Sequence, residues 1–160
     1  MNNKRSGKGK EFYENGQLSW EGEYSNDYRN GKGKEYYQDG HLQFEGRYLH
    51  GKKEGEGKEY FEDGKLKYEG EYFDGLRKGK GKEYYQCGQL QFEGRYLHGK
   101  REGKGKEYFE DGKLKYEGEY FDGHRNGKGK EYDAEGVLIF DGEYSFGKRV
   151  QKLLNFCIIM

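Results

Sequence analysis

The side chains that could do chemistry in this chain are four histidines, two cysteines, four serines and thirty carboxylates. The histidines fall in predicted turns between strands, where a solvent-exposed role is favoured over metal ligation. No HExxH motif or cysteine spacing accompanies them, and none of the serines stands in a nucleophile elbow. We therefore expect no catalytic residues and no metal site. The histidines are His41, His50, His98 and His124.

Glycine–lysine elements such as Gly31-Lys-Gly-Lys34 invite comparison with phosphate-binding loops. However, the chain contains no GxxxxGK(S/T) motif, and no predicted helix follows whose N-terminus could hold a phosphate. Close backbone approach and tight turning are the better explanation of these glycines. The sequence predicts no cofactor and no small-molecule substrate.

Charge balance argues against nucleic acid as a ligand. Exposed tyrosines between lysines could stack on bases, but thirty acidic residues cancel thirty basic ones and would repel phosphate. The same net charge of zero disfavours a general attraction to anionic lipid.

The elements that position these residues come from an internal repeat. The signature GxGKE(F/Y) recurs every 24 residues without insertion or deletion, which is typical of a repeat architecture. Its copies begin at Gly7, Gly31, Gly55, Gly79, Gly103 and Gly127.

Each repeat carries the pattern of a β-hairpin. In the second copy, Asp39-Gly40 separates two strand-like runs, which predicts a two-residue type I′ turn. That turn would pair Tyr37 with Leu42 and Lys34 with Glu45. Opposite charges face each other at the Lys34–Glu45 position in all six copies, which favours this register. It also places Glu35 on the apolar face beside Phe44, and nothing in the sequence explains a carboxylate there.

The sequence thus predicts an all-β fold, an elongated single-sheet ribbon of six tandem antiparallel hairpins with about twelve strands. We expect a polar lead over residues 1–6 and an apolar tail over 150–160, which could include a short capping helix. The repeats are expected at 7–30, 31–54, 55–78, 79–102, 103–126 and 127–149.

These residues resemble a known family. The pattern Y-x-G-x-(W/Y)-x-x-G-x-x-x-G-x-G of the MORN repeat (membrane occupation and recognition nexus) is met by Phe44, Gly46, Tyr48, Gly51, Gly55 and Gly57. The resemblance extends over roughly residues 7–149. It departs from the pattern at Asp27 and Gln151, where glycine is expected. The resemblance implies a protein-binding and assembly module, and the family name implies association with lipid.

We expect a non-catalytic scaffold that binds a peptide or helix of a protein partner along a tyrosine-rich face, because tyrosine is enriched at interface hot spots. For each of these residues the alternative is a purely structural role in the core. Direct phospholipid binding, and a bacterial immunity or antitoxin role, are further alternatives. The candidate contact residues are Tyr37, Tyr48, Phe61, Tyr72, Tyr85 and Tyr96.

The last four residues, Cys157-Ile-Ile-Met160, fit a prenylation motif, with methionine favouring farnesyl. The competing interpretation is a helix with Val150, Leu153 and Leu154 on one apolar stripe, covering the last hairpin. Two cysteines without a disulfide framework, no apolar membrane span and no secretory signal favour a cytoplasmic protein, with a peripheral position on the cytosolic face of a membrane as the further expectation.

Overall fold

The computed structural model describes residues 4–151, which form one antiparallel sheet with no helix between those limits. Strands that are neighbours in sequence are neighbours in the sheet throughout. The predicted all-β ribbon of tandem hairpins is confirmed. The strands are β1 (Gly7–Phe12), β2 (Leu18–Ser25), β3 (Tyr28–Tyr36), β4 (Leu42–Leu49), β5 (Lys52–Tyr60), β6 (Leu66–Phe73), β7 (Leu76–Tyr84), β8 (Leu90–Leu97), β9 (Lys100–Tyr108), β10 (Leu114–Phe121), β11 (His124–Tyr132), β12 (Leu138–Ser145) and β13 (Lys148–Arg149).

The predicted pairing of lysine with glutamate is confirmed. Lys34 lies opposite Glu45 on β4, and also opposite Glu21 on β2. The same relation holds in every hairpin, from Lys10 with Glu21 to Lys130 with Asp141. Opposite charges therefore alternate across the sheet from β1 to β12, which stabilises this register over a slipped one.

The predicted type I′ turn at Asp39-Gly40 is wrong. Tyr36, not Tyr37, lies opposite Leu42, after a register shift at Glu35. The loop is longer: the amide of Gly40 donates to the carbonyl of Tyr37 at 3.0 Å, and only Gly40 of the pair has positive φ, at 89°. This is a three-residue loop ending in a left-handed glycine. The Asp39 carboxylate stabilises it by accepting the His41 amide at 3.0 Å.

Two-residue turns with positive φ at both positions occur instead between one hairpin and the next. At His50-Gly51 the φ angles are 47° and 85°, and Leu49 pairs directly with Lys52. Asn26-Asp27 makes the equivalent turn, so the aspartate that departs from the glycine pattern adopts the left-handed conformation itself, at φ 70°.

A row of twelve glycines crosses the middle of the sheet, each paired with the next. On one side, which we call the ring face, aromatic side chains occupy the space that glycine leaves empty. A methyl group on Gly33 would lie 1.9 Å from the Trp20 ring, and one on Gly57 would lie 2.6 Å from the Phe44 ring. The glycine row consists of Gly9, Gly22, Gly33, Gly46, Gly57, Gly70, Gly81, Gly94, Gly105, Gly118, Gly129 and Gly142.

The core is a single line of edge-to-face rings on the ring face. The Phe44 ring stands 5.6 Å from Tyr48 and 5.3 Å from Tyr72, with interplanar angles of 86°. Such edge contacts are the favoured geometry for aromatic pairs. Because each ring touches its own and the next hairpin, the line joins all the repeats into one core.

Part of the predicted tail lies outside the described residues. Cys157, the proposed prenylation site, is among them, as is most of the predicted capping helix. Val150 is described: it is exposed and not helical, and its amide donates to the carbonyl of Glu143 at 2.7 Å, continuing the strand pairing.

Candidate partner-binding face

The ring face is covered by its own charged side chains. The Arg77 guanidinium lies 3.9 Å from the centroid of the Tyr68 ring and forms ion pairs of 2.7 Å with both Glu59 and Glu83. Arg125 bridges Glu107 and Glu131 in the same way, at 2.7 and 2.9 Å. This Arg–Glu ladder accounts for the carboxylates that the sequence placed, without explanation, on the apolar face.

The ladder also accepts hydrogen bonds from some tyrosine hydroxyls of the core, although not from Tyr48 or Tyr96. Tyr72 donates to Glu59 at 2.6 Å and Tyr120 donates to Glu107 at 2.7 Å. Burial raises the pKa of Glu131, but hydrogen bonds from Arg149, Tyr144 and Arg125 outweigh it and hold that pKa at about 2. Glu131 is therefore ionised at neutral pH, and the ladder carboxylates are engaged by arginine side chains of the protein itself.

Sequence reasoning missed the ladder, although its signal is present. Writing the six copies in columns gives a glutamate every 24 residues from Glu11 to Glu131. It also gives an arginine or lysine every 24 residues from Arg5 to Arg149.

The six predicted contact residues separate into two groups. Tyr48, Tyr72 and Tyr96 are each 4% exposed and lie within the line of core rings. Tyr37, Phe61 and Tyr85 are half-buried at the start of the hairpin loops. Tyr37 and Tyr85 donate their hydroxyls to the carbonyls of Tyr60 and Tyr108, each at 2.8 Å, which ties one loop to the next repeat.

The opposite side of the sheet, which we call the groove face, is open. A groove of about 1800 Å³ crosses it from β1 to β12, with the backbone of the glycine row among its lining. Two rows of charged side chains flank the glycines, because the residues before and after each glycine point away from the ring face.

The first of these rows, the alternating row, contains the lysines and carboxylates that face each other across every hairpin, as described under the fold. Tyrosine hydroxyls support its carboxylates: Tyr36 donates to Glu21 at 2.8 Å and Tyr84 donates to Glu69 at 2.8 Å. Burial and the bond to Glu21 raise the pKa of Tyr36 to about 12. The alternating row consists of Lys10, Glu21, Lys34, Glu45, Lys58, Glu69, Lys82, Glu93, Lys106, Glu117, Lys130 and Asp141.

The second row, the blocked row, pairs opposite charges in the first, fifth and sixth hairpins but not in the three hairpins between them. Three consecutive pairs bring like charges opposite each other across hairpins, and their order is positive, negative, positive. Like charges in directly opposite positions destabilise a sheet. The three pairs are Lys32 with Arg47, Glu56 with Glu71, and Lys80 with Arg95.

An apolar rim borders the blocked row near the two-residue turns. Leu49 follows Arg47 by two residues on the same strand, so both side chains lie on the groove face. The rim side chains are 43% to 56% exposed. A hollow of about 620 Å³ is lined by Glu71 and Arg95 of the blocked row together with Phe73 and Leu97 of the rim. The rim consists of Tyr28, Leu49, Phe73, Leu76, Leu97 and Phe121.

Fold and faces together define a tandem β-hairpin repeat protein with one closed and one open side. Comparison with family models identifies the repeat. A model of the MORN repeat matches residues 20–42, 68–86 and 116–137, and a model of a MORN repeat variant matches residues 5–26, 53–74 and 101–122. The chain therefore contains MORN repeats, which generally serve as non-catalytic scaffolds. A search of curated proteins found no match.

A metal site and a membrane-spanning helix find no support in the described residues. Within residues 4–151, no group of three or more histidine, cysteine, aspartate or glutamate side chains is arranged to hold a metal ion. Over the same part of the chain, no helix is long and apolar enough to cross a membrane.

Proposed function

We propose that this protein is a non-catalytic MORN-repeat scaffold that binds a polypeptide partner on its groove face, and that all six 24-residue copies are MORN repeats. The observation that carries this proposal is the contrast between the two faces. Arginine and glutamate side chains already cover the rings of the ring face, whereas the groove face has a continuous groove bordered by an exposed apolar rim. Extended surfaces of this kind suit contact with a long partner.

The proposed contact surface differs from the tyrosine-rich face that the sequence predicts. Tyr48, Tyr72 and Tyr96 belong to the core and are left out of it. Tyr37 and Tyr85 remain a competing surface on the loops, since each is only partly buried.

Site-specific photo-cross-linking in the native host would test the proposal. A photoreactive amino acid is placed at Arg47 or Lys104 in the groove, or at Tyr85 in a loop, and adducts are compared by mass. We expect a discrete protein adduct from the two groove positions and none from the loop. Adducts from Tyr85 alone would contradict the groove assignment.

The proposal includes a cytoplasmic location and prenylation of Cys157, which requires Met160 to be the C-terminal residue of the mature chain. Lys148, Arg149 and Lys152 would supplement a single prenyl chain, which by itself gives only weak and reversible membrane binding. The protein would then bring its partner to a membrane.

Intact mass spectrometry tests the proposed prenylation. The natural chain and Cys157→Ser are each expressed in a eukaryotic host, and their masses are compared. A prenyl mass increment present in the first and absent in the second is expected. No increment, with tight binding of a tail-less protein to anionic vesicles, would instead favour direct lipid binding by the repeats.

A further inference from the structure

Three consecutive like-charged pairs in one row are unfavourable for the isolated sheet. Directly opposed like charges cost stability, whereas the alternating row, at the same distance from the glycines, avoids them completely. None of the six side chains forms an ion pair within 4 Å among residues 4–151, although seventeen ion pairs of lysine or arginine with a carboxylate occur elsewhere in that range. Glu71 accepts a hydrogen bond from the backbone amide of Lys80 at 3.1 Å. Arg47 and Arg95 lie opposite Glu54 and Glu102 on the following strands but do not reach them within 4 Å. The side-chain charges of the three pairs are otherwise available to a ligand.

Glu56 is the residue that creates the negative block. The other five copies have lysine at its position, namely Lys8, Lys32, Lys80, Lys104 and Lys128. A lysine at position 56 would face Glu71 as an opposite charge, so the fold itself does not require the glutamate.

We propose that the groove face binds an amphipathic α-helix of the partner whose groove-facing charges run acidic, basic, acidic at intervals of about two turns. This inference rests on the proposed function and specifies the partner's chemistry. Acidic residues would face Lys32 with Arg47 and Lys80 with Arg95, and a basic residue would face Glu56 with Glu71.

The spacing of the blocks favours a helix over an extended strand. Neighbouring strands lie about 4.8 Å apart, so the centres of successive blocks, two strands apart, are about 10 Å apart. Seven residues of α-helix rise about 10.5 Å and return to nearly the same face. Three residues of a β-strand also span about 10 Å, but an odd number of residues turns the side chain to the opposite face.

The apolar rim offers a partner helix hydrophobic contacts beside the charged side chains of the blocked row. A helix with its charged stripe on the blocked row would present the adjacent stripe, at i, i+3 and i+4 spacing, to Leu49, Phe73 and Leu97. The hollow that Glu71 and Arg95 share with Phe73 and Leu97 shows that the rim and the blocked row form one continuous surface. Charge order then selects the partner, while apolar contact adds affinity.

Binding of synthetic peptides to the full chain tests this inference. The probe is a 21-residue helical peptide of three heptads with glutamate, lysine and glutamate blocks on one stripe and leucine on the next. Its counterpart has lysine, glutamate and lysine blocks, with the net charge equalised on the solvent-facing side. The order reads the same in both chain directions, so the orientation of the helix does not affect the comparison.

We expect the acidic–basic–acidic peptide to bind at least tenfold more tightly than its counterpart. Glu56→Lys should weaken that binding at least threefold. The matched control Glu62→Lys makes the same charge change in an exposed hairpin loop and should alter affinity by less than twofold. A polyproline II segment also repeats every three residues, at about 9 Å, and could therefore match the block spacing as well as an α-helix does. A proline-substituted version of the peptide favours polyproline II over the α-helix, and we expect that it does not bind.

Equal binding of the two charge orders, or no effect of Glu56→Lys, would overturn the inference and leave a groove scaffold of different specificity. Absence of binding by both peptides would also overturn it. The photo-cross-linking experiment decides separately whether the groove is the contact surface, so the two failures can be told apart.

Discussion

Each glycine of the central row leaves space that an aromatic ring occupies. A side chain there would point to the ring face, where the Trp20 ring lies over Gly33 and the Tyr68 ring lies over Gly81. The glycines thus allow large rings to pack directly on the backbone, and the opposite side of the same backbone is left open as the groove.

Gly33→Ala should destabilise the protein because the new methyl group would overlap the Trp20 ring. We expect a loss of about 1–3 kcal/mol in the free energy of unfolding, measured by chemical denaturation. The control is Gly16→Asn, in a loop where a Cβ meets nothing within 4 Å and asparagine tolerates the left-handed conformation. A control as damaging as Gly33→Ala would contradict this account of the glycine row.

Tyr68 and Tyr116 occupy equivalent positions but differ in the environment of their hydroxyls. The Tyr116 hydroxyl donates to the carbonyl of Glu119 at 3.1 Å, whereas the buried Tyr68 hydroxyl has no partner among the described residues. Phenylalanine stands at this position in other copies, as Phe44 and Phe92.

Tyr68→Phe is therefore expected to leave stability unchanged or raise it, because an unpaired buried hydroxyl is removed. Tyr116→Phe should cost about 0.5–1.5 kcal/mol through its lost hydrogen bond. Paired denaturation curves measure both, and a larger loss for Tyr68→Phe than for Tyr116→Phe would be the contrary result.

At the scale of the elements, the hairpin register could be predicted from the sequence but the turns could not. The register follows from Lys34 and Glu45 because a slipped pairing would oppose like charges. The turn prediction at Asp39-Gly40 is wrong because Asp-Gly also suits a three-residue loop, in which the aspartate side chain caps the His41 amide and the aspartate backbone does not adopt positive φ.

The candidate site was only partly predictable for a related reason. Alternation places Phe44 and Tyr48 on one face, but whether that face is open depends on what covers it. The covering side chains come from a neighbouring strand: Arg29 lies opposite Tyr24 and stands 4.2 Å from the Trp20 ring. Such long-range cover is not visible in the alternation of a single hairpin.

The Arg–Glu ladder should make stability depend on acid pH. Burial raises the pKa of Glu107, but hydrogen bonds from Arg125 and Tyr120 outweigh it and lower that pKa below its usual value. A carboxyl whose folded pKa is depressed contributes stability above its unfolded pKa, about 4.3, and loses it as pH falls through the folded value. For Glu131 that value is about 2.

The thermal midpoint should therefore hold from pH 7 to about pH 5 and fall between about pH 4.3 and 2. Glu107→Gln should cost about 2 kcal/mol at pH 7 by leaving Arg101 and Arg125 underneutralised, and the difference should shrink in acid. Glu110→Gln, in the adjacent exposed loop, is the matched control and should have little effect. A pH-independent deficit for Glu107→Gln would show that the ladder acts by packing alone.

At the scale of the whole molecule, stability is distributed along the ribbon. The strand order follows the sequence from β1 to β13, and each ring contacts only its own and adjacent hairpins. Architectures of this kind behave as a sum of repeats and nearest-neighbour interfaces.

Deleting residues 55–102 should leave a shorter folded protein, because Glu54 would join Gly103 in phase with the repeat. Circular dichroism and a cooperative unfolding transition measure this outcome. The deletion removes the negative block and one positive block, so the folded product should no longer bind the acidic–basic–acidic peptide. Complete unfolding under mild conditions would contradict the one-dimensional picture.

We propose that the groove face, and not the ring face or the loops, receives a polypeptide partner. Titrating the acidic–basic–acidic peptide into the ¹⁵N-labelled protein tests it most directly. The amide signals of Gly46, Gly57, Gly70 and Gly81, at the middle of the groove, should shift together with those of Leu49 and Phe73. Shifts confined to the loops around Tyr37, Phe61 and Tyr85, with the glycine row unchanged, would contradict the account.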